Sequence, residues 1–577
     1  MAPTKKNISP EKGNKSEERP VIYQLLPRLF TNTCVAPKPW GQINVNGSGK
    51  LNDITDKVLA SIKSLGVTHI WYTGLLEHSH ASDYTRYLIP RDNPYVHKGR
   101  AGSPYAITDY YDIDPDLAVS VPERMNEFEA LVERTHRAGL KLVMDFVPNH
   151  VGRQYRSDAR PETSPSDFGT GDDMDMFFSP KNDFYYITRQ QFAPASGYGE
   201  GTEDEYIEFP AKASGNDCYT AFPGVNDWWD TVKLNYGVDP WNGSKHFYPI
   251  PGVWTKMLDI LSYWTAKGVD AFRCDMVHMV PVEFWHWLIP QIKKLNPDIR
   301  FIAEIYDVGL YRPYIGAGFD YLYDKVTLYD TLRAIVTSHT SAAALTSCWQ
   351  TVEGIGRNML TFLENHDEQR YASPQFAGTP DTVLPALVVT ATMGQGAVMI
   401  YMGQEIGEAA LDTEGYSGKD GRTTIFDYWS IEKLRRWYNN GECNGKLTTE
   451  EMNLRSMYTR VLSAVNREEA LREGSFFDLM YVNYDNPALN PHSNYAYLRA
   501  SDGQIALIVA NFSDKGTDIG VKIPGHAFDC LGISPGVYHA DDIVSMRKSR
   551  IELKPEGVVT VPVAAHGAAI LILRKMK

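Results

Sequence analysis

Apolar runs of strand type recur along most of this chain, with helix-like stretches between them. The expected strands are residues 21–25, 66–72, 141–145, 269–275, 300–305, 319–323, 358–363 and 397–405. Helical stretches fall at 53–64, 254–267 and 284–294. Another brings Phe128, Leu131 and Val132 to helical spacing among Glu123, Glu127, Glu129 and Glu133, and Gly139 stops it. Such alternation predicts a parallel sheet joined by helical crossovers. A count of eight strands predicts that the sheet closes into a (β/α)8 TIM barrel.

The rhythm breaks between 151 and 250, where Gly, Asp, Ser, Tyr and Pro dominate without a helical period. That stretch is too long for an ordinary loop. It predicts an inserted irregular domain after strand 3. Beyond 474 the texture changes again, to short β runs at 495–498, 505–510 and 569–573 punctuated by Gly, Asp and Pro. These predict a C-terminal β-sandwich. The first 20 residues are polar and charged and read as a disordered tail. The expected division is therefore tail 1–20, barrel 21–150 and 251–473, insertion 151–250, and C-terminal domain 474–577.

A length of 577 residues allows two to four domains and a large core. The chain carries 57 basic and 71 acidic residues, a net charge of −14, which argues against nucleic acid or an anionic membrane surface as partner. No apolar run approaches the roughly 18–20 residues of a membrane span. The opening residues lack the apolar stretch of a secretory signal, so the cytoplasm is the default expectation. A periplasmic or secreted protein whose signal has been removed is the alternative. Six cysteines, at 34, 218, 274, 348, 443 and 530, show no metal-ligand spacing and read as reduced or buried thiols. Cys274 reads as core filling. The 34 Tyr, 22 Phe and 12 Trp are mostly core, but aromatic faces also stack on sugar rings, so the abundance suits a carbohydrate site. Oligomeric state is not readable from the chain.

Four segments place polar groups at strand ends: 145–150, 270–275, 301–304 and 362–367. In a (β/α)8 barrel these ends share the catalytic rim. Their order, with separations of about 125, 30 and 60 residues, resembles the four sequence regions of the α-amylase superfamily of retaining glycoside hydrolases (glycoside hydrolase family 13). The resemblance implies two carboxyl groups working across an anomeric carbon. Asp275 would be the nucleophile, Glu304 the general acid/base, and Asp367 the third carboxylate that stabilises the transition state. Arg273, two residues before Asp275 and on the same side of its strand, would lower the nucleophile's pKa and keep it ionised. His150 and His366 match the histidines that contact the sugar, and Tyr105 resembles its stacking platform. Many relatives follow the nucleophile with Lys-His; His278 and Met279 stand there, and His278 is expected to reach substrate.

The resemblance also implies calcium between barrel and insertion, held by Asn149 and an Asp further on. Residues 229–235 look like the family's fifth region, in a form closer to neopullulanase-like enzymes, with Lys233 where a carboxylate ligand would sit. A lysine opposes a divalent cation, which leaves Asp230 as the stand-in ligand and the usual site incomplete. The expectation is that no cofactor is required, with calcium the alternative. The acidic loop 171–175 and the Asn-containing loop 44–49 are further candidates. The resulting reading is a retaining α-glucan hydrolase acting on α-1,4 bonds, with α-1,6 bonds also considered. A transglycosylase or a sucrose- or trehalose-type enzyme could use the same machinery. A non-catalytic glucan-binding protein would have no need of Asp275, Glu304 and Asp367 together, and a metal-dependent hydrolase lacks a ligand set.

Overall fold

The computed structural model describes residues 18–194 and 206–576. Most of the expected tail, residues 1–17, lies outside the described residues. Eight strands close a barrel: β1 Val21–Leu25, β2 His69–Tyr72, β3 Lys141–Phe146, β4 Ala271–Cys274, β5 Arg300–Ala303, β6 Tyr321–Tyr323, β7 Met359–Phe362 and β8 Ala397–Tyr401. Each pairs in parallel with its sequence neighbours, and β1 closes on β8 through Ile22 beside Met399. Helices cover the outside. Helix Arg124–Arg137 buries Phe128, Leu131 and Val132, and Gly139 follows it at φ +70°, a left-handed position that suits glycine.

Several strands are shorter than their apolar runs. β4 stops at Cys274 because Met276 turns into the left-handed region, at φ 43° and ψ 49°. β8 stops at Tyr401, and Gln404–Ile406 forms a 3-10 turn instead. Between β3 and β4 lie short antiparallel pairs, His150–Gly152 with Thr231–Lys233 and Tyr186–Ile187 with Ala211–Lys212. A small core there unites Val96, Ile187, Phe192, Ala211, Ala221 and Trp229. A second excursion, after β2, escapes the sequence reading. It pairs Leu76–His78 with the wholly buried strand Ile107–Ile113.

The C-terminal strands are antiparallel throughout. Six form one sheet, and Thr517–Ile523 pairs with Gly557–Val563 in a second. All six cysteines are free thiols; Cys274 and Cys348 are buried. Among the described residues no helix is long and apolar enough to cross a membrane.

Candidate active site

Arg273, fully buried on β4, ties together the ends of four adjacent strands. Its Nη1 lies 2.8 Å from Asp275 Oδ1 and 3.4 Å from Asp145 Oδ1 at the end of β3. Its Nη2 lies 2.7 Å from Glu304 Oε2, just past β5, and its Nε donates to Tyr323 Oη of β6 at 3.3 Å. Trp71 of β2 donates to the other oxygen of Asp145 at 2.9 Å. Asp275 and Glu304 therefore share one guanidinium.

Glu304 has further donors. Tyr306 Oη lies 2.5 Å from Oε1, and the Met276 N–H donates to Oε2 at 2.9 Å. The left-handed turn at Met276 aims that N–H. A non-glycine residue held there is strained, and such strain gathers at functional sites. Tyr306 follows Glu304 by two residues, so the extended chain puts both side chains on one side; that spacing could have revealed it in the sequence.

The expectation that Arg273 holds Asp275 in the ordinary carboxylate range is reversed. Burial, and then the charge of Glu304, push the Asp275 carboxyl well above that range, and Arg273 only opposes them. The guanidinium is not a private counter-ion: Asp145 and Glu304 draw on it too. Asp145 is itself raised to about 6 by burial. Asp367 is raised to about 7 by desolvation in the cleft and then by Glu304. One cation thus serves four carboxyl groups, and the cluster favours retaining a proton.

The cavity above these groups has a volume of about 510 Å³, within the range of small-molecule sites. Tyr105, His150, Trp228, Asp275, Glu304 and Asp367 line it. Burial, then Lys233 and Lys98, lower the His150 pKa to about 3, so the ring stays neutral. His366 lies behind the wall, its ring stacked on Tyr105 at 5.3 Å, with Nε2 2.5 Å from Tyr105 Oη and 3.1 Å from Asp367 Oδ2. Burial keeps it neutral as well. His278 does not line this cavity itself but packs edge-on against Tyr306, which does, with ring centroids 6.2 Å apart. The 3-10 turn Val277–Met279 carries it into a neighbouring cavity of about 540 Å³, beside Asp217, Tyr219 and Lys233. Lys98 and Lys325 also line the catalytic cavity, without any signal in the sequence.

The residues expected to hold calcium do not fit the ion. Lys233 Nζ donates to Asn149 Oδ1 and to the Met279 carbonyl at 3.1 Å, and pairs with Asp217 Oδ1 at 2.8 Å. Asn149 uses its amide on the Gly215 carbonyl at 2.7 Å. Asp230 does not stand in: its Oδ1 lies 3.0 Å from Lys98 Nζ. An ammonium group thus sits on each expected ligand, and two cations cannot share that space with calcium. In the acidic loop, the Asp172 carboxylate accepts from the Asp183 and Phe184 N–H groups and from Tyr186 Oη. In the other loop Asn46 is buried, bonded to the Lys38 and Tyr428 carbonyls.

Comparison with known proteins agrees with this geometry. Residues 24–306 match the model of the alpha amylase catalytic domain. The chain is 23% identical over 432 residues to alpha-amylase 3 of Dictyoglomus thermophilum, covering 71% of each chain. It is 23% identical over 511 residues to a cyclomaltodextrinase of Thermoanaerobacter pseudethanolicus, covering 86% of this chain and 70% of the relative. The alpha-amylase of Geobacillus thermoleovorans, solved with acarbose, superposes with a TM-score of 0.61 at 17% identity, covering 97% of this chain and 99% of that one. Residues 24–306, which carry Asp275 and Glu304 at their strand ends, are thus similar to the alpha amylase catalytic domain, on a closed barrel of the same fold as the solved alpha-amylases.

Proposed function

We propose that this protein is a retaining α-glucan hydrolase that cleaves α-1,4 glucosidic bonds of starch-derived oligosaccharides. The observation that carries the reading is the sharing of Arg273 between Asp275 and Glu304, at 2.8 and 2.7 Å, on the floor of the cavity. Asp275 attacks the anomeric carbon and Glu304 protonates the leaving oxygen. The raised pKa of Asp275 lets the unliganded cluster retain a proton. The retaining mechanism uses Glu304 as the acid and Asp275 as the ionised nucleophile. Arg273 stays in contact with both carboxyls throughout. In the second step Glu304 takes a proton from water, and the glycosyl–Asp275 ester is hydrolysed.

Asp367, on the cavity wall, faces the charge that develops on the sugar ring. Neutral His150 and Tyr105 contact its hydroxyls and face, with His366 bracing Tyr105 from behind. Lys233 supplies the positive charge at Asn149, so catalysis proceeds without calcium at that place. The lysine-bearing fifth region and the resemblance to a cyclomaltodextrinase favour short or cyclic maltooligosaccharides, with α-1,6 bonds as secondary substrates.

Maltoheptaose and pullulan followed by NMR test the reading. Shorter sugars released first as α-anomers are expected; β-anomeric first products contradict retention. Turnover of neither substrate contradicts the α-glucan assignment. Asp275→Asn separates the enzyme from a glucan-binding protein: turnover falls by about a thousandfold or more while maltooligosaccharide binding persists. Unchanged turnover refutes the nucleophile assignment.

A further inference from the structure

Away from the catalytic cavity, three carboxylates converge from three chain segments. Glu77 comes from strand Leu76–His78, Asp112 from strand Ile107–Ile113, and Asp158 from the segment after His150–Gly152. One carboxylate oxygen from each lies within 4.8 Å of the others. Oxygens at 2.3–2.6 Å from one ion are at most about 5 Å apart, so the set fits a single coordination sphere.

One atom within this cluster is unaccounted for. Glu77 is only 4% exposed, and its Oε2 has no hydrogen-bond partner. Its Oε1 has only Thr108 Oγ1, at 3.5 Å. A buried carboxylate oxygen without a partner carries a desolvation penalty that nothing in the protein offsets. Arg124 does not reach it: that guanidinium is spent on Asp112, with Nε 2.9 Å from each oxygen.

The surroundings hold the third ligand in place. Asp109, fully buried, accepts from the backbone N–H groups of Asp158 and Ala159 at 2.9 and 3.0 Å and from Ser157 Oγ at 2.7 Å. The Asp158 backbone is thereby fixed while its side chain remains exposed to receive an ion from solvent. The other group of this kind, His80 with Asp114 and Asp116, already has imidazole and phenol partners within the protein. His78 pairs with Asp114 at 2.9 Å, and Tyr84 and Tyr428 donate to Asp116 at 2.7 and 2.5 Å.

We propose that Glu77, Asp112 and Asp158 form a calcium site, separate from the place around Asn149 that Lys233 fills. Oxygen-only donors of irregular geometry suit calcium over a transition metal. The ion would tie the strand that follows Tyr105 to the segment that follows His150, bracing two walls of the cleft from behind.

The test uses the full chain, freed of metal by dialysis against a chelator and then titrated with calcium chloride. Calorimetry is expected to show one ion bound per chain, and calcium to raise the Tm. Asp158→Asn is expected to weaken binding at least tenfold and remove the Tm rise, while leaving the metal-free Tm unchanged because the side chain is exposed. Glu77→Gln is expected to remove the response while leaving the metal-free protein folded, since the amide keeps the size and shape of the buried carboxyl group. Absence of calcium binding overturns the proposal, as does an undiminished calcium response in either variant.

Discussion

Asp324 offers a stability test that can be worked from one carboxyl group. It ends β6, is 4% exposed, and caps the π-helical turn Lys325–Tyr329, accepting from Thr327 Oγ1 and from the Leu328 N–H at 2.9 Å. That turn presents Lys325 and Val326 to the catalytic cavity. Burial raises the Asp324 pKa from 3.8 to about 7 against the single opposing Leu328 bond. Below pH 4 the group is protonated in both folded and unfolded chains and titration contributes nothing against folding. Between pH 4 and 7 the unfolded chain gives up this proton while the folded one keeps it, so stability falls; above pH 7 the loss is complete. A displacement of that size corresponds to about 4 kcal/mol at 1.36 kcal/mol per pH unit. Asp324→Asn keeps an oxygen to accept both bonds and removes the titration. Urea unfolding of the two proteins should therefore agree near pH 4 and diverge as pH rises, the variant being more stable by up to about 4 kcal/mol at pH 8. A difference that does not change with pH refutes the reasoning.

Other predictions concern the site itself. Lys233→Met leaves the buried Asn149 Oδ1 and the Met279 carbonyl without their donor. At about 1–3 kcal/mol per unsatisfied group the variant should lose about 2–6 kcal/mol in urea unfolding, with half-exposed Asp217 adding little; a loss below about 1 kcal/mol argues against the lysine's role. If Asp367 acts ionised, its pKa, raised to about 7 by burial and then by Glu304, places the acid limb of kcat/KM near pH 7 and not near pH 4. A profile flat from pH 5 to 8 contradicts that. Trp228→Ala removes an aromatic wall whose ring packs edge-on against His150 at 5.2 Å. It should raise KM for maltoheptaose about tenfold; an unchanged KM places the sugar elsewhere.

The barrel was readable because its strands are apolar on both faces and end in polar groups, as parallel strands buried under helices do. The same burial concealed strand Ile107–Ile113: every residue is buried although three are polar or charged, so neither alternation nor an apolar run marks it. The strand-end position of Asp275, Glu304 and Asp367 followed from sequence spacing, but the direction of the Asp275 pKa did not. It depends on burial and then on the charge of Glu304, against the opposing Arg273, an environment that only the folded strand ends create. The resemblance placed His278 near substrate; that the turns at Met276 and Val277–Met279 set its ring beside Tyr306, at the junction with the neighbouring cavity, required the fold. The lysine at 233 was visible as an obstacle to calcium. Its bonds to Asn149 and Met279 required the fold.

Trapping the glycosyl-enzyme tests the central claim most directly. The protein would be incubated with a fluorinated, activated α-glucoside that slows the second step, digested with protease, and mapped by mass spectrometry. A sugar ester on the peptide that contains Asp275, absent from the Asp275→Asn variant, is the predicted result. A label on any other residue, or rapid turnover through an inverted product with no label, would contradict it.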